Sequence, residues 1–503
     1  ANAVQNTPWS ADATIGATLK MGLTTGMTDA EKAAVVIPPK DVDGSMNVNG
    51  NFPFAAKTSD IKAPIIVNAP DADNDGAADC GSLAGSLCPV VVYVHGITGS
   101  RGHSIALAQG IGFGTNAGAP ENYATVAIDL PLHGIAPLTS TGVADPFLGL
   151  SFDTGTFASL ATAAGTDFDG VTERHFGYGT GADGVLTPLV YNDAGDEALE
   201  AAAYPNLKSN YSGAAFINLS NFMVTRDAMR QAVMDQLNLI ASLGTMDFDG
   251  HAGADFDTTK IHVVGHSLGA IIATTTVSVA NTMAGAGSPI ASINTLNLVA
   301  PGGQLARVIE NSPSFAGLAA TTSPVDNTGT VDPTFGVLGK LNVGTDGAVV
   351  QGKADYESFL NVFQAIIDGV DPIVYAGGAA LANQPTLVIE MVGDGGTQVI
   401  DDTVINKPDQ TIPNSADTGE TWEAANPSPL AGTEPLISEL GLGDFSDTSS
   451  PAATYNTDNR VALRLKKGGH ASILAASGDS SEAEGTVEKE TYDNTSAAQA
   501  ATI

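Results

Sequence analysis

The stretch that decides the fold is "IHVVGHSLGAIIA", Ile261 to Ala273. Four mostly β-branched residues lead into Gly265-His266-Ser267-Leu268-Gly269, and small and apolar residues follow. The first run reads as a buried strand and the second as a helix. A G-x-S-x-G pattern between strand and helix is a nucleophile elbow, a strained turn that lifts the serine hydroxyl above the sheet edge while the glycines keep side chains clear. Outside that context the same five residues would be only a tight turn. Here they make Ser267 the candidate nucleophile.

A serine hydroxyl needs a base to attack. His470, in "LKKGGHASIL", is the one histidine after Ser267, and it sits in a Gly-rich turn after a strand-like run. Among the other histidines, His133 and His175 fall in loops and are candidates to touch the site. His262 reads as a core residue of the strand, His266 as a packing or substrate-facing residue of the elbow, and His95 as a shaper of its turn. The base in turn needs a carboxylate to fix its tautomer. The segment "GDGGTQVIDDTVIN" offers Asp402 as the favoured acid, then Asp401, then Asp394. Two backbone donors must meet the oxyanion. The N–H of Leu268 is one, and Ile97, in the turn after "VVYVHGITGS", is the other, with Gly96 permitting close approach.

Further strands are expected at "IKAPIIVNAP" from Ile61, "CPVVVYVHG", "YATVAIDL", "ASINTLNLVAP", "PTLVIEMVGD" and "NRVALRLKKGGH". Several are continuous apolar runs, as strands covered on both faces require. "FMVTRDAMRQAVMDQLNLIASL" carries Met229, Val233, Leu237 and Ile240 at helical spacing. Alternating strands and helices predict an α/β fold with a mostly parallel central sheet flanked by helices. The organisation expected is an N-terminal arm over 1–60, with a capping box at Thr28 and Glu31; core over 61–134; a cap insertion over 135–221; core with the elbow over 222–301; a second cap insertion over 302–384; core with the acid and histidine over 385–476; and a tail over 477–503. In the second insertion Phe359, Phe363, Ile366 and Val370 share one helical face, either ordinary core or a lining for an apolar substrate groove.

The 503-residue chain carries 55 acidic against 20 basic residues, a net charge of −35. That excludes a nucleic-acid backbone or an anionic membrane surface as the main partner. No apolar run is long enough for a transmembrane helix. The start at Ala1, with no initiator Met and no charged-then-apolar leader, predicts a removed signal peptide or a trimmed chain. Cys80 and Cys88 lie close together across small residues and are expected to form a disulfide, hence an exported, extracellular protein. "DADNDGAAD" sets Asp71, Asp73, Asp75 and Asp79 in a pattern that can wrap Ca²⁺, although Ser82 stands where an EF-hand has Glu. A weaker Ca²⁺ candidate is Asp247, Asp249 and Asp255. Any calcium would be structural.

Taken in order, "HGITGSRG", "DLPLHGI", "ERHFG", "GHSLG", "DTVIN" and "GGH" resemble an α/β-hydrolase, and more narrowly the secreted bacterial virulence-factor lipases. The resemblance runs from about Ile61 to about Leu474. It implies an extracellular carboxylic-ester hydrolase with cap insertions; the partner expected is a small-molecule or lipid ester, met in solution or at a lipid or polymer interface. It supports Ser267 and His470 by motif position, and Asp402 less directly. Members often carry an N-terminal lipoprotein cysteine, which does not stand at the start here. Two other readings stay open: a polyester or polyhydroxyalkanoate depolymerase with the same triad, and a calcium-stabilised binding protein on a hydrolase scaffold.

Overall fold

Cys88–Val94 is buried along its whole length, and its side chains alternate between two apolar layers. Val90, Val92 and Val94 enter one, while Val91 and Tyr93 enter the other. A strand so placed must lie in the middle of a sheet covered on both faces. A computed structural model shows this arrangement. It describes residues 8–37, parts of 48–71, most of 78–112, 123–134, short pieces between 174 and 218, 221–312, 354–393, short pieces of 399–413, 430–444, 459–465 and most of 468–474.

Among the described residues the main sheet has eight strands, β1 (Ile65–Asn68), β2 (Cys88–Val94), β3 (Ala124–Ile128), β4 (Phe256–His266), β5 (Thr295–Val299), β6 (Thr386–Met391), β7 (Gly443–Asp444) and β8 (Arg460–Leu465). Their spatial order is β1-β3-β2-β4-β5-β6-β8-β7. β1 pairs antiparallel with β3, and the other pairings in this sheet are parallel. The chain leaves β2 for β3 on one side and crosses to β4 on the other. That reversal beside β2 opens a crevice at the carboxyl ends of the strands, where open α/β sheets bind ligands. This antiparallel edge, strand order and serine turn after β4 are the α/β-hydrolase fold.

The expected strands are all present with shifted ends. The first begins at Ile65 rather than Ile61, and β4 extends back to Phe256 through the polar "DTTK". The short edge strand β7 carries no apolar run and was not expected. The arm holds two helices, α1 (Ala13–Leu23) and α2 (Asp29–Ala34), where one was expected. The capping box at Thr28 and Glu31 forms as read, each group closing on the other's backbone N–H. Helix α3 (Ser104–Gly112) follows β2.

One face of the sheet carries the larger core. Helix α4 (Phe222–Ser242) buries Met229, Val233, Leu237 and Ile240 against it, the predicted stripe. Helix α5 (Leu268–Met283) starts at the elbow and is buried over nearly its whole length. Helices α6 (Leu305–Asn311), α7 (Ala354–Ile367), α8 (Pro372–Ala376) and α9 (Thr433–Leu440) complete this layer. The buried face of α7 is Tyr356, Leu360, Phe363 and Ile367; of the expected stripe Phe363 and, beyond the helix, Val370 are core residues, whereas the places expected for Phe359 and Ile366 are taken by Leu360 and Ile367, one position on. Tyr356 and Leu360 fill the core, and Phe359 turns to the edge against Phe222, ring centroids 5.1 Å apart. Thus the described part of the second expected cap interval packs into the main core, while most of 135–221 lies outside the described residues.

Cys80 and Cys88 form the expected disulfide, which ties the loop before β2 to the strand's first residue. Among the described residues, no helix is long and apolar enough to cross a membrane.

Candidate active site

Ser267 adopts φ 56°, ψ −121°, a backbone region costly for a residue with a side chain. Three bonds hold it there: its N–H donates to Val299 O on β5 at 2.8 Å, and its C=O accepts from the N–H groups of Ala270 and Ile271, in the first turn of α5. The glycine of the elbow is forced by contact. A Cβ on Gly269 would lie 1.9 Å from Val94 O, so only glycine lets α5 start against the end of β2. The same approach brings the turn after β2 to the serine. A Cβ on Gly96 would stand 3.1 Å from Ser267 Cβ. Ile97, Ser267 and Leu268 accordingly line one pocket, and Leu268, first residue of α5, has no intrahelical partner for its N–H.

The turn after β2 is itself braced. Asp129, at the end of β3 and fully buried, accepts from the Arg101 N–H at 2.7 Å and pairs with the Arg101 guanidinium. His95 accepts the Leu130 N–H at Nε2, 2.9 Å away, so its proton lies on Nδ1, 2.8 Å from Gly96 O. Burial pushes His95 down to about 3, so the ring is neutral at any working pH. His95 therefore shapes the turn, as the sequence suggested. Asp129 and Arg101 were not singled out there, although an acid at the end of the continuous apolar run "YATVAIDL" was the available signal.

His470 lies beyond β8 in a turn anchored by Leu474, which is buried in the second core layer. Its Nδ1 is 2.7 Å from Asp409 Oδ2, and Asp409 is 3% exposed. The carboxylate that meets the imidazole is thus Asp409, which corrects the expectation of Asp402. Asp402, Asp401 and Asp394 lie outside the described residues. The reason is the path of the chain, which leaves β6 and returns to its end at Asp409, where the Asp409 N–H bonds Met391 O at 2.9 Å. The other carboxylate oxygen, Oδ1, accepts from the Thr411 N–H at 2.7 Å and the Ile412 N–H at 3.3 Å, which fixes the rotamer. A carboxylate can only accept, so Nδ1 carries the proton and Nε2 is left as the basic nitrogen.

Ser267 opens onto a pocket of about 530 Å³, counting its mouth. Phe216, Met229, Ile271, Leu305, Phe363 and Ile367 give it an apolar wall. Thr225, its polar neighbour, turns its hydroxyl to the Asn218 N–H at 2.7 Å. Phe363 thus lines the pocket as expected, whereas Phe359 packs on Phe222 at the edge. His133 does not reach the pocket. It is buried behind Phe216, with ring centroids 5.2 Å apart, and its Nδ1 faces Pro131 O at 2.8 Å. Desolvation holds it well below the ordinary histidine range. His262 bonds Thr295 Oγ1 at 2.8 Å in the sheet, the structural role expected for it. His175 lies outside the described residues.

Of the first acidic loop, Asp73 and Asp75 lie outside the described residues, and only Asp71 and Asp79 are placed. In the second, Asp247, Asp249 and Asp255 bring one carboxylate oxygen each within 4.8 Å of one another. An oxygen of Asp249 would sit 3.0 Å from a Cβ on Gly81, beside the disulfide loop. Oxygen-only donors of this kind suit a hard cation.

No family model and no curated protein matches the chain. Similar solved structures include an esterase from Pyrobaculum calidifontis, 14% identical over 83% of this chain and 75% of the other, TM-score 0.30. A structure of two fungal esterases from Rhizomucor miehei is 13% identical over 87% and 83%, TM-score 0.30. An acetyl xylan esterase from Paenibacillus sp. R4 is 13% identical over 66% and 65%, TM-score 0.27. At such distances these similarities concern the fold only.

Proposed function

We propose that this chain is a serine carboxylesterase for esters of aliphatic acids, working through Ser267, His470 and Asp409. The observation that carries the reading is the strained serine lining an apolar pocket, with a carboxylate-paired histidine whose ring lies against that of His266, the residue before the serine. In this reading His470 Nε2 takes the Ser267 proton as Oγ adds to the ester carbonyl. The tetrahedral oxyanion forms against the N–H groups of Leu268 and Ile97. His470 then gives its proton to the departing alcohol, which leaves an acyl-serine. Water, deprotonated by the same nitrogen, adds to that acyl group, and the free acid departs as Oγ recovers its proton. Asp409 keeps the ring in the productive tautomer and balances the imidazolium.

The pocket supports an acyl chain rather than a sugar or a charged group, because beyond Ser267 and Thr225 its described side chains are apolar and cannot replace lost water contacts. Export is supported by the disulfide, since such bonds persist in oxidising compartments. Calcium at Asp247, Asp249 and Asp255 is part of the same proposal, as a structural ion.

The test is a nitrophenyl ester series from acetate upward, with wild type and Ser267→Ala. Each methylene buried stabilises by about 0.8 kcal/mol, so kcat/KM should rise about fourfold per methylene until the pocket is full. Ser267→Ala should lose at least about 10⁴ in kcat, lose fluorophosphonate labelling, and melt as wild type does. Absent labelling of wild type would overturn the enzyme, and a flat chain-length profile would overturn the acyl pocket.

A further inference from the structure

His266, the residue just before the nucleophile, is absorbed by no step above, yet its surroundings are specific. Its Nε2 is 2.7 Å from the backbone oxygen of His470, a bond that spans 204 residues. A carbonyl can only accept, so Nε2 carries the proton and Nδ1 is a bare lone pair. That Nδ1 is buried with no hydrogen-bond partner among the described residues, and the space a Cβ on Gly96 would occupy is 3.4 Å away. The ring also lies against that of His470, centroids 5.0 Å apart and tilted by 44°. Its neighbour His470 belongs to a turn whose other described backbone hydrogen bonds are local, Gly469 N–H to Ser472 Oγ at 2.7 Å, Ser472 N–H to Gly469 O at 3.0 Å and Leu474 N–H to Ala471 O at 2.9 Å.

The base is therefore held at two points from outside its own turn. Asp409 holds the ring at Nδ1, and His266 holds the backbone beneath it. From this geometry we infer that His266 is a positioning residue, a neutral imidazole that fixes the His470 backbone relative to the adjacent Ser267. Because His266 and Ser267 are consecutive, one elbow sets the nucleophile and anchors the base, and the distance between the two does not depend on the remote loop alone. Neutrality suits the role. Desolvation, and then the charge that forms on His470, hold His266 well below the ordinary histidine range, so it does not compete for the proton taken from the serine.

The inference rests on the reading of Ser267 as nucleophile, and the experiment separates the two. His266→Phe keeps a ring of similar size but no donor. His266→Asn keeps polarity with a donor that falls short of the carbonyl, and His266→Gln returns an N–H near the position of Nε2. Displacement of a catalytic group by about 1 Å costs on the order of a hundredfold. His266→Phe and His266→Asn should lose about ten- to a hundredfold in kcat with KM nearly unchanged, and His266→Gln should recover most of it. The acid limb of kcat/KM should move to lower pH in His266→Phe, because an apolar ring and a loosened Asp409 contact both disfavour the His470 imidazolium. A purely structural role would lower the melting temperature without moving that limb. Should His266→Phe not fold, His266→Asn against His266→Gln gives the same contrast. Wild-type kcat in folded His266→Phe or His266→Asn, or a His266→Gln as slow as they are, overturns the inference. A wild type without turnover or labelling instead overturns the nucleophile itself.

Discussion

Asp409→Asn tests the identity of the triad acid, where sequence and structure part. Asp409 Oδ2 faces His470 Nδ1 at 2.7 Å, and the carboxylate is 3% exposed. With the charge centres about 4 Å apart and an effective dielectric near 20, the attraction between carboxylate and imidazolium is about 4 kcal/mol, a factor of about a thousand in rate. The amide adds a second fault. Its Oδ1 can still accept from Thr411 and Ile412, but it then presents an NH₂ to the Nδ1 proton, and the ring turns to the wrong tautomer. Loss of that kind in a serine triad reaches about 10⁴ in kcat. Asp409→Asn should therefore lose about 10³–10⁴ in kcat, with KM for a nitrophenyl butyrate nearly unchanged, since Asp409 is not part of the pocket wall. Steady-state kinetics and a melting curve, with Asp402→Asn measured in parallel and expected within about twofold of wild type, give the readout. If Asp409→Asn keeps more than about a tenth of the activity, or Asp402→Asn falls as far, the acid is misassigned.

Three further outcomes follow from buried charge. His95 is held near 3 in the folded protein, and His133 and His266 are shifted the same way. The unfolded chain takes protons on these rings below about pH 6.5 while the folded one refuses them, so stability is full above that pH and falls as pH drops, by up to about 1.4 kcal/mol per unit for each ring. The urea midpoint should thus drop between pH 7.5 and 5, and an unchanged midpoint would contradict buried neutral imidazoles. Glu390, buried on β6, shares Arg464 with Glu434 and is pushed well above the ordinary range by burial and then by Glu434. A raised carboxyl costs stability above its unfolded pKa, so Glu390→Gln should melt higher than wild type at pH 8, with the gain shrinking toward pH 4; a gain independent of pH would refute this. If calcium binds at Asp247, Asp249 and Asp255, EGTA should lower the melting temperature by a few degrees in wild type and not in Asp249→Asn. Identical melting of wild type with calcium and with EGTA would remove the ion from the account.

How much of this was legible in the sequence depended on how local each signal is. The strands at Cys88 and Ile261 could be read because a strand covered on both faces must be apolar at every position, and that requirement is written in consecutive residues. The elbow was readable for the same reason. Gly269 answers a contact with the β2 end and Gly265 one with the first turn of α5, contacts that any sequence of this topology must relieve. His470 stood out as the candidate base because no other histidine follows Ser267. The face of α7 was misread by one position because Phe359 is as apolar as Leu360, and only the neighbours in space, Phe222 against the core, decide between them.

The carboxylate that meets His470 was not legible, for a different reason. The residues after β6 hold several aspartates, and which one meets His470 is set by where the chain returns to the sheet edge, not by spacing from the strand. Asp409 does so with its own N–H on Met391 O, and its carboxylate caps the turn through Thr411 and Ile412. That turn is written in "PDQTIP", Pro408 to Pro413, where an aspartate with a threonine two residues on makes an Asx turn between two prolines. An Asx turn leaves the second carboxylate oxygen pointing outward and fixed. An acid that must hold an imidazole needs just that, one oxygen spent on its own backbone and the other presented. In "DDTVIN" neither aspartate has such a turn partner flanked by prolines. The physical criterion for the carboxylate that holds His470 is therefore rigidity, which spacing from the strand does not encode.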